Sequence, residues 1–291
     1  MYKMIAQSKG LVTHGVSTCQ GCGLELIMRT VMEALGDDTV LVIPPGCSAM
    51  FSGSGIEGSL KIAGVQGNLE NSAAIASGIA NGFKNQGNTH TKVVAFAGDG
   101  GTVDIGLQSL SGAMERNENI LYICYDNEAY MNTGIQGSSS TPVGGWSTTT
   151  PAGKLSHSKD LLRIAMAHDV PYAASASIAN LADMKRKVKK AREVQGTSVM
   201  HIQCPCPTGW GYYSGKSIEI AREAIQSGAW LLMEFENGKL KINQTPKKLG
   251  EVEGYLKPQK RFRGLSDEQL KQLKDAIVHR YEILKAQEQQ A

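Results

Sequence analysis

The sequence predicts an α/β protein: a mostly parallel sheet with helices on both faces, followed by a C-terminal arm. Short β-branched runs, VLVI at 40–43, VVAFA at 93–97, ILYICY at 120–125 and SVMHI at 198–202, alternate with longer segments of helical spacing. That alternation argues for strand–helix–strand units whose strands are covered by helices. The chain has 291 residues and 41% hydrophobic content, enough for one large domain or two small ones with a buried core.

In chain order, Leu24, Ile27, Met28, Val31 and Leu35 recur at steps of three and four, so residues 24–35 form a helix with one apolar stripe. Residues 70–84, ENSAAIASGIANGFK, are rich in Ala and Gly and predict a helix packed closely on a neighbouring backbone. Helical spacing also covers 104–116 and 158–168. Residues 181–195, LADMKRKVKKAREVQ, carry a basic cluster that reads as a solvated helix face. Residues 228–264, with two prolines and many lysines, read as an irregular arm outside the main domain. Ser266 with Gln269 forms the pattern of a capping box, opening a final helix to about residue 285. There is no internal repeat. The expected division is 1–227, carrying the sheet and its ligand loops, and 228–291, an arm and helix that pack on partner subunits.

A net charge of +3, with scattered basic residues, gives no basis for nucleic acid or an anionic membrane as the main partner. The start, MYKMIAQSKGLVTHG, lacks an apolar run followed by a small-residue cleavage site, and no window of about 18 apolar residues occurs, so a cytoplasmic protein is expected. Its six cysteines are then expected to be thiols, because the cytosol keeps them reduced.

Two turns carry chemistry. GDGG at 98–101 follows the strand at 93–97, and DNEAYMNT at 126–133 follows the strand at 120–125, with 26 residues between Gly100 and Asn127. Both turns fall at the carboxyl ends of strands, where open α/β sheets place their ligands. Glycines let the backbone approach an anion, and the helix that follows turns its N-terminus towards it. Asp99 and Asn127 side-chain oxygens, a backbone carbonyl and two phosphate oxygens suit the oxygen-rich octahedron that Mg²⁺ prefers.

Cys19 and Cys22 form a CxxC loop just before the first helix. Cys47 follows Pro44-Pro45-Gly46, and Cys204 and Cys206 follow the strand at 198–202, all at the same sheet edge. Cys124 lies inside a strand and reads as a plain buried thiol. Cys206 precedes Pro-Thr-Gly-Trp and emerges on the loop, so it is taken as the fourth ligand, with Cys204 in reserve. Four thiolates suit zinc and an iron–sulfur cluster equally well.

GDG…N resembles the diphosphate motif of thiamine-diphosphate enzymes. Together, CQGCG at 19–23, PGC at 45–47, AGDGGTVDIGLQSLSGAMERN at 97–117, LYICYDNEAYMNTGIQ at 121–136, STPVGGWSTTTPAGK at 140–154 and CPTGW at 206–210 resemble the β subunit of 2-oxoacid:ferredoxin oxidoreductases, most closely the pyruvate branch. The resemblance implies a thiamine-diphosphate-binding fold in which Gly98, Asp99, Gly100, Gly101, Asn127, Asn132 and Thr133 meet the cofactor. Asp99, Asn127 and the Ala129 carbonyl are the implied Mg²⁺ ligands. Cys19, Cys22, Cys47 and Cys206 are the implied ligands of one 4Fe-4S cluster. Asn132 is the one implied catalytic residue in this chain, although Asn132 and Thr133 could instead only close their turn.

The implied partners are an alpha subunit supplying the pyrimidine half of the cofactor site and its activating Glu, gamma and ferredoxin-like delta subunits, and ferredoxin. The implied reaction is reversible oxidative decarboxylation of a 2-oxoacid, pyruvate by default, with coenzyme A. It yields acyl-CoA, CO₂ and reduced ferredoxin through a radical on thiamine diphosphate. Oxalate, branched-chain and aromatic oxoacids are alternative substrates. Two other readings are a non-redox thiamine enzyme with structural zinc and a non-catalytic electron-transfer or assembly subunit. Where some relatives carry Glu directly after CxxCG, this chain has Leu24 and then Glu25. His14 is read as lining a loop and His201 as a satisfied core histidine. Trp146 and Trp210 lie on loops near the site.

Overall fold

The computed structural model describes residues 9–52 and 59–290. Eight strands form one sheet in the order β2-β1-β3-β4-β6-β5-β7-β8. These are β1 Thr39–Ile43, β2 Ala63–Gln66, β3 Lys92–Gly98, β4 Ile120–Asp126, β5 Tyr172–Ser177, β6 Ser198–Gln203, β7 Met233–Glu236 and β8 Lys239–Ile242. Pairings from β2 through β5 are parallel, and β7 and β8 add an antiparallel edge. The four runs read as strands become β1, β3, β4 and β6.

Alternation along these strands feeds two cores. Leu121, Ile123 and Tyr125 of β4 belong to one, with α1 (Gly23–Leu35), while Ile120, Tyr122 and Cys124 belong to the other. Leu24, Ile27, Met28, Val31 and Leu35 of α1 are buried as the spacing requires, and each such side chain contributes about 1.5–3 kcal/mol. The first core is shared with a helix we label α6, Leu181–Glu193. In chain order between them come α2 (Ala49–Ser52), α3 (Ser72–Asn85), α4 (Leu107–Glu115) and α5 (Leu161–Ala167), and α3, α4 and α5 cover the opposite face. A third core joins α7 (Pro207–Trp210) and α8 (Ser217–Ser227) to α9 (Glu253–Leu256) and α10 (Asp267–Gln290).

Three expectations change. The stretch at 228–264 is not irregular throughout, because β7 and β8 form a hairpin that extends the main sheet. Its turn is Asn237-Gly238 at φ 48° and 84°, the left-handed pair that favours a two-residue hairpin. Residues of the arm, Val252, Tyr255, Phe262, Leu273 and Ile277 among them, are buried against this chain itself. β5, YAASAS, is buried at every position, but its small residues carry little of the β-branched signal that marks strands.

The basic face of α6 is paired rather than simply solvated. Lys187 is fully buried, with Nζ 2.7 Å from Asp183, and Arg186 and Lys190 reach Glu234 and Glu236 on the hairpin. Lys185 pairs with Glu33 of α1. The capping box forms as expected. Gln269 N donates to Ser266 Oγ at 3.1 Å and Ser266 N donates to Gln269 Oε1 at 3.0 Å, and the helix runs to Gln290.

Candidate functional site

The strand order decides which loops meet. β1, β3, β4 and β6 are consecutive neighbours, so the chain leaving their carboxyl ends delivers Cys47, Asp99, Asn127 and Cys204–Cys206 to one contiguous edge. Register is tight, with Gly98 opposite Tyr125 and Asp126 opposite Gln203.

At this edge Asn127 Oδ1 lies 2.8 Å from the Ala129 carbonyl oxygen and 3.0 Å from Asp99 Oδ1. All three are acceptors. Turning the Asn127 amide would place its NH₂ between them and satisfy both neighbours. A divalent cation would satisfy the same three oxygens without that turn, since adjacent ligands about 2.0–2.1 Å from Mg²⁺ in an octahedron stand about 2.8–3.0 Å from one another. In the orientation as found Asn127 Nδ2 lies 3.9 Å from Cys47 Sγ.

Asp99 is 1% exposed, and burial, followed by the nearby Asp126 carboxylate, pushes its carboxyl well above the ordinary range. Ser138 Oγ, donating to Asp99 Oδ2 at 2.5 Å, pulls the other way and does not prevail. A buried carboxylate in this position calls for a positive charge, and the converging oxygens are where a cation would supply it.

The glycines pack closely against aromatic rings. A Cβ on Gly100 would stand 2.4 Å from the Tyr130 ring, and one on Gly98 would press on Tyr125 at 3.2 Å. Gly100–Asp104 forms a π-helical turn whose first residues, including Gly101, are buried. Thr133 Oγ1 donates to Gln136 Oε1 at 2.8 Å and Gln136 Nε2 donates to the Thr133 carbonyl at 2.9 Å, so Thr133 closes its turn. Asn132 beside it is exposed.

The cysteines gather next to the oxygens. Burial, the other thiols and Asp99 raise Cys47 to about 12. Burial raises Cys206 to about 11 despite Gly209 N donating to its Sγ at 3.2 Å. Cys22 is lowered to about 7, chiefly by a hydrogen bond with the Cys204 thiol. Cys204 is 1% exposed and raised by burial, whereas Cys19 is exposed. The thiols are neighbours without closing on one point: among the described residues, no three Cys, His, Asp or Glu side chains form a metal-holding group. Gly21 in the CxxC loop has φ 71°, and a Cβ there would stand 2.2 Å from the Ser214 carbonyl. Cys124 is fully buried in β4.

His201 is a buried histidine satisfied by Asp126, its Nε2 2.7 Å from Asp126 Oδ2. His14 is exposed. Trp146 is partly exposed, while Trp210 is fully buried and donates from Nε1 to the Asn127 carbonyl at 2.7 Å. Leu24 is a core residue, and Glu25 is held by Arg29 and Thr18 at the outer side of α1.

Sequence reasoning missed Ser138 and Lys154. Lys154 Nζ donates to the carbonyls of Ser138, Ser139 and Thr141 at 3.0, 3.1 and 2.7 Å, which fixes the loop that presents Ser138 to Asp99. The serine run at 138–140 was the available signal, but nothing in its spacing pointed to Asp99.

A parallel α/β sheet with a Gly-flanked Asp and an Asn at the ends of adjacent strands is the framework of thiamine-diphosphate enzymes. In agreement, the family described as thiamine pyrophosphate enzyme, C-terminal TPP binding domain, matches residues 44–202. Pyruvate synthase subunit PorB of Methanothermobacter marburgensis is 46% identical over 89% of this chain and 92% of its own length. Ketoisovalerate oxidoreductase subunit VorB of Pyrococcus abyssi is 46% identical over 93% of this chain and 91% of its own length. The fold is also that of a solved 2-oxoglutarate:ferredoxin oxidoreductase from Magnetococcus marinus, with TM-score 0.61 and 21% identity over 73% of this chain and 79% of that one. The chain belongs to the family of 2-oxoacid:ferredoxin oxidoreductase β subunits, thiamine-diphosphate oxidoreductases that act on 2-oxoacids. Among the described residues, no helix is long and apolar enough to cross a membrane.

Proposed function

We propose that this chain supplies the diphosphate and Mg²⁺ half of a thiamine-diphosphate site, together with one 4Fe-4S cluster. The complex around it converts a 2-oxoacid and coenzyme A to acyl-CoA and CO₂ and passes electrons to ferredoxin. The observation that carries this reading is the convergence of the buried Asp99 carboxyl, the Asn127 side-chain amide and the Ala129 carbonyl beside the cysteine loops.

Asp99, Asn127 and Ala129 would hold Mg²⁺, and Gly98, Gly100 and Gly101 let the backbone approach the diphosphate. Bound thiamine diphosphate would supply the electron sink that decarboxylation of a 2-oxoacid requires. Cys19, Cys22, Cys47 and Cys206 would hold the cluster. Cys206 is favoured over Cys204 because its Sγ sits at the start of α7 and accepts the Gly209 N–H. Asn127 borders both groups of ligands, its side chain facing Asp99 and Ala129 and lying 3.9 Å from Cys47 Sγ. Asn132, exposed on the rim of its turn, is the chain's own candidate to face the substrate.

An alpha subunit would bring the pyrimidine half of the site and the activating Glu, with gamma, ferredoxin-like delta and ferredoxin completing the electron path. Two features support large partners. The β2 edge strand is exposed at all four residues, although parallel strands are normally covered, and Ile105, Trp146 and Leu155 are exposed apolar side chains.

Pyruvate is the leading substrate. A branched-chain 2-oxoacid is the second reading, because a ketoisovalerate oxidoreductase subunit is as similar to this chain as a pyruvate synthase subunit. The test is anaerobic purification of the complex and electron paramagnetic resonance after adding a panel of 2-oxoacids, with and without coenzyme A. A reduced-cluster signal elicited by pyruvate and increased by coenzyme A is expected. Zinc in place of iron, with no acid reducing the protein, would leave a two-electron thiamine enzyme instead.

A further inference from the structure

Arg261 lies in the short turn Lys260–Phe262 of the C-terminal arm and is 4% exposed. Its guanidinium is enclosed on every side. Nη2 stands 2.5 Å from Glu128 Oε2 and donates to the Tyr255 hydroxyl at 3.2 Å, and Nε donates to Gln259 Oε1 at 2.8 Å. The group lies over the Trp210 indole, with Cζ 3.9 Å from the ring centroid. Burying a guanidinium costs several kcal/mol before pairing, and an apolar residue of similar size is often no less stabilising. Stability alone is therefore a weak reason for a charge here, and its partners suggest another.

Glu128 sits between two of the proposed metal ligands, Asn127 and Ala129. It holds a left-handed φ of 64°, uncommon for a residue with a side chain. Its N–H donates to Asp126 Oδ1 at 2.8 Å, and its carbonyl accepts from Thr141 Oγ1 at 2.6 Å. Trp210, on the other face of Arg261, donates from Nε1 to the Asn127 carbonyl. The same tryptophan closes the turn begun by Cys206, donating from its backbone N to the Cys206 carbonyl at 2.9 Å. The arm follows this turn closely, with Lys260 N donating to the Gly211 carbonyl at 3.2 Å. One buried cation thus touches a side chain from the oxygen-bearing turn and a side chain from the helix that carries Cys206.

We propose that Arg261 is a positioning residue that holds the Asn127–Glu128–Ala129 turn and the Cys206 helix in register with each other, so that the arm braces the two cofactor sites as one unit. This rests on the reading of those sites given above. Without Arg261, Glu128 loses the guanidinium paired with its buried carboxylate, and the peptide between two metal ligands loses one of the contacts that hold its unusual conformation. Trp210 loses the face that keeps its N–H on Asn127.

The test uses the whole complex, purified anaerobically, in wild-type form and as Arg261→Met, Arg261→Lys and Trp210→Phe. Two quantities are measured in each: the Mg²⁺ concentration that half-saturates thiamine-diphosphate binding, by calorimetry, and the electron paramagnetic resonance spectrum of the chemically reduced clusters. Arg261→Met is expected to raise the half-saturating Mg²⁺ by about tenfold, the lower end of the cost of removing a group that touches a metal ligand, since Arg261 acts through Glu128 and Trp210, and to change the signal of the cluster on this subunit. Arg261→Lys keeps the charge but loses the planar fork and the stack, and should show both changes more weakly. Trp210→Phe keeps the ring beneath Arg261 but removes the N–H to Asn127, and should raise the Mg²⁺ requirement by a smaller factor.

An Arg261→Met complex that melts earlier yet matches wild type in both quantities would reduce Arg261 to an ordinary buried ion pair. Movement of only one quantity would equally overturn the brace. If Arg261→Met does not assemble, Arg261→Lys decides by the same criteria, and a Trp210→Phe complex with an unchanged Mg²⁺ requirement would overturn the brace as well. Thiamine diphosphate binding to the wild type without Mg²⁺ would defeat the metal-site reading itself.

Discussion

Asp99 and Ala129 bring two oxygens within 3.0 Å of the Asn127 side-chain amide, whereas the four candidate cluster cysteines range from exposed Cys19 to Cys206 at 7% and do not close on a point. The two regions share a boundary at Asn127 and are built differently. The oxygens stand on the ends of β3 and β4, whose pairing fixes their separation, and Ser138, Lys154, Trp210 and His201 hold the backbone and carboxylates around them. The thiols come from three chain segments, none of them a strand. A hard cation with strict octahedral demands is met by a preset site. A cluster that forms covalent bonds to its ligands can draw loops together as it binds.

Substitutions can break or sharpen this contrast. The largest effect is expected from Asp99→Asn, which removes the buried carboxylate at the centre of the oxygen site. Calorimetry should show thiamine diphosphate with Mg²⁺ binding at least about a hundredfold more weakly, since even partners behind a metal ligand account for about 10–100-fold. The cofactor-free variant should melt no earlier than wild type, because an unpaired buried carboxylate is itself destabilising. A variant that bound the cofactor normally would remove Asp99 from the ligand set.

On the thiol side, Cys206→Ser should lose iron and acid-labile sulfide from this subunit, while Cys204→Ser should retain both. Chemical analysis of the two proteins settles it, and the reverse pattern would make Cys204 the ligand and its contact with Cys22 the reason. The smallest effect is expected from Ser138→Ala, which takes away the short hydrogen bond to Asp99. It should weaken Mg²⁺ binding by about tenfold without changing iron content. Loss of iron in that variant would mean that the two regions are less separate than their geometry indicates.

Much of the site was legible in the sequence because its key residues lie within a few positions of strong strands. GDGG after VVAFA and DN after ILYICY place Asp99 and Asn127 at strand ends whatever the order of the strands. Asn237-Gly238 was an equally local signal and was overlooked among the lysines of the arm. Ser138, Lys154 and Arg261 could not be found in this way, because each acts on a partner far away in the chain. Ser138 reaches Asp99 across 39 positions.

The sequence by itself determined the helices with a clear apolar stripe, the capping box at Ser266, the four main strands and the residue types able to hold a cation and a cluster. These follow from short-range periodicity and local hydrogen bonding. Only the tertiary structure decided that β6 lies between β4 and β5, which carries the Cys206 loop beside Asn127, and that the arm returns to bury Arg261 against Glu128 and Trp210. Strand order and long-range ion pairing depend on how whole faces pack, and no local stretch of the chain contains that information.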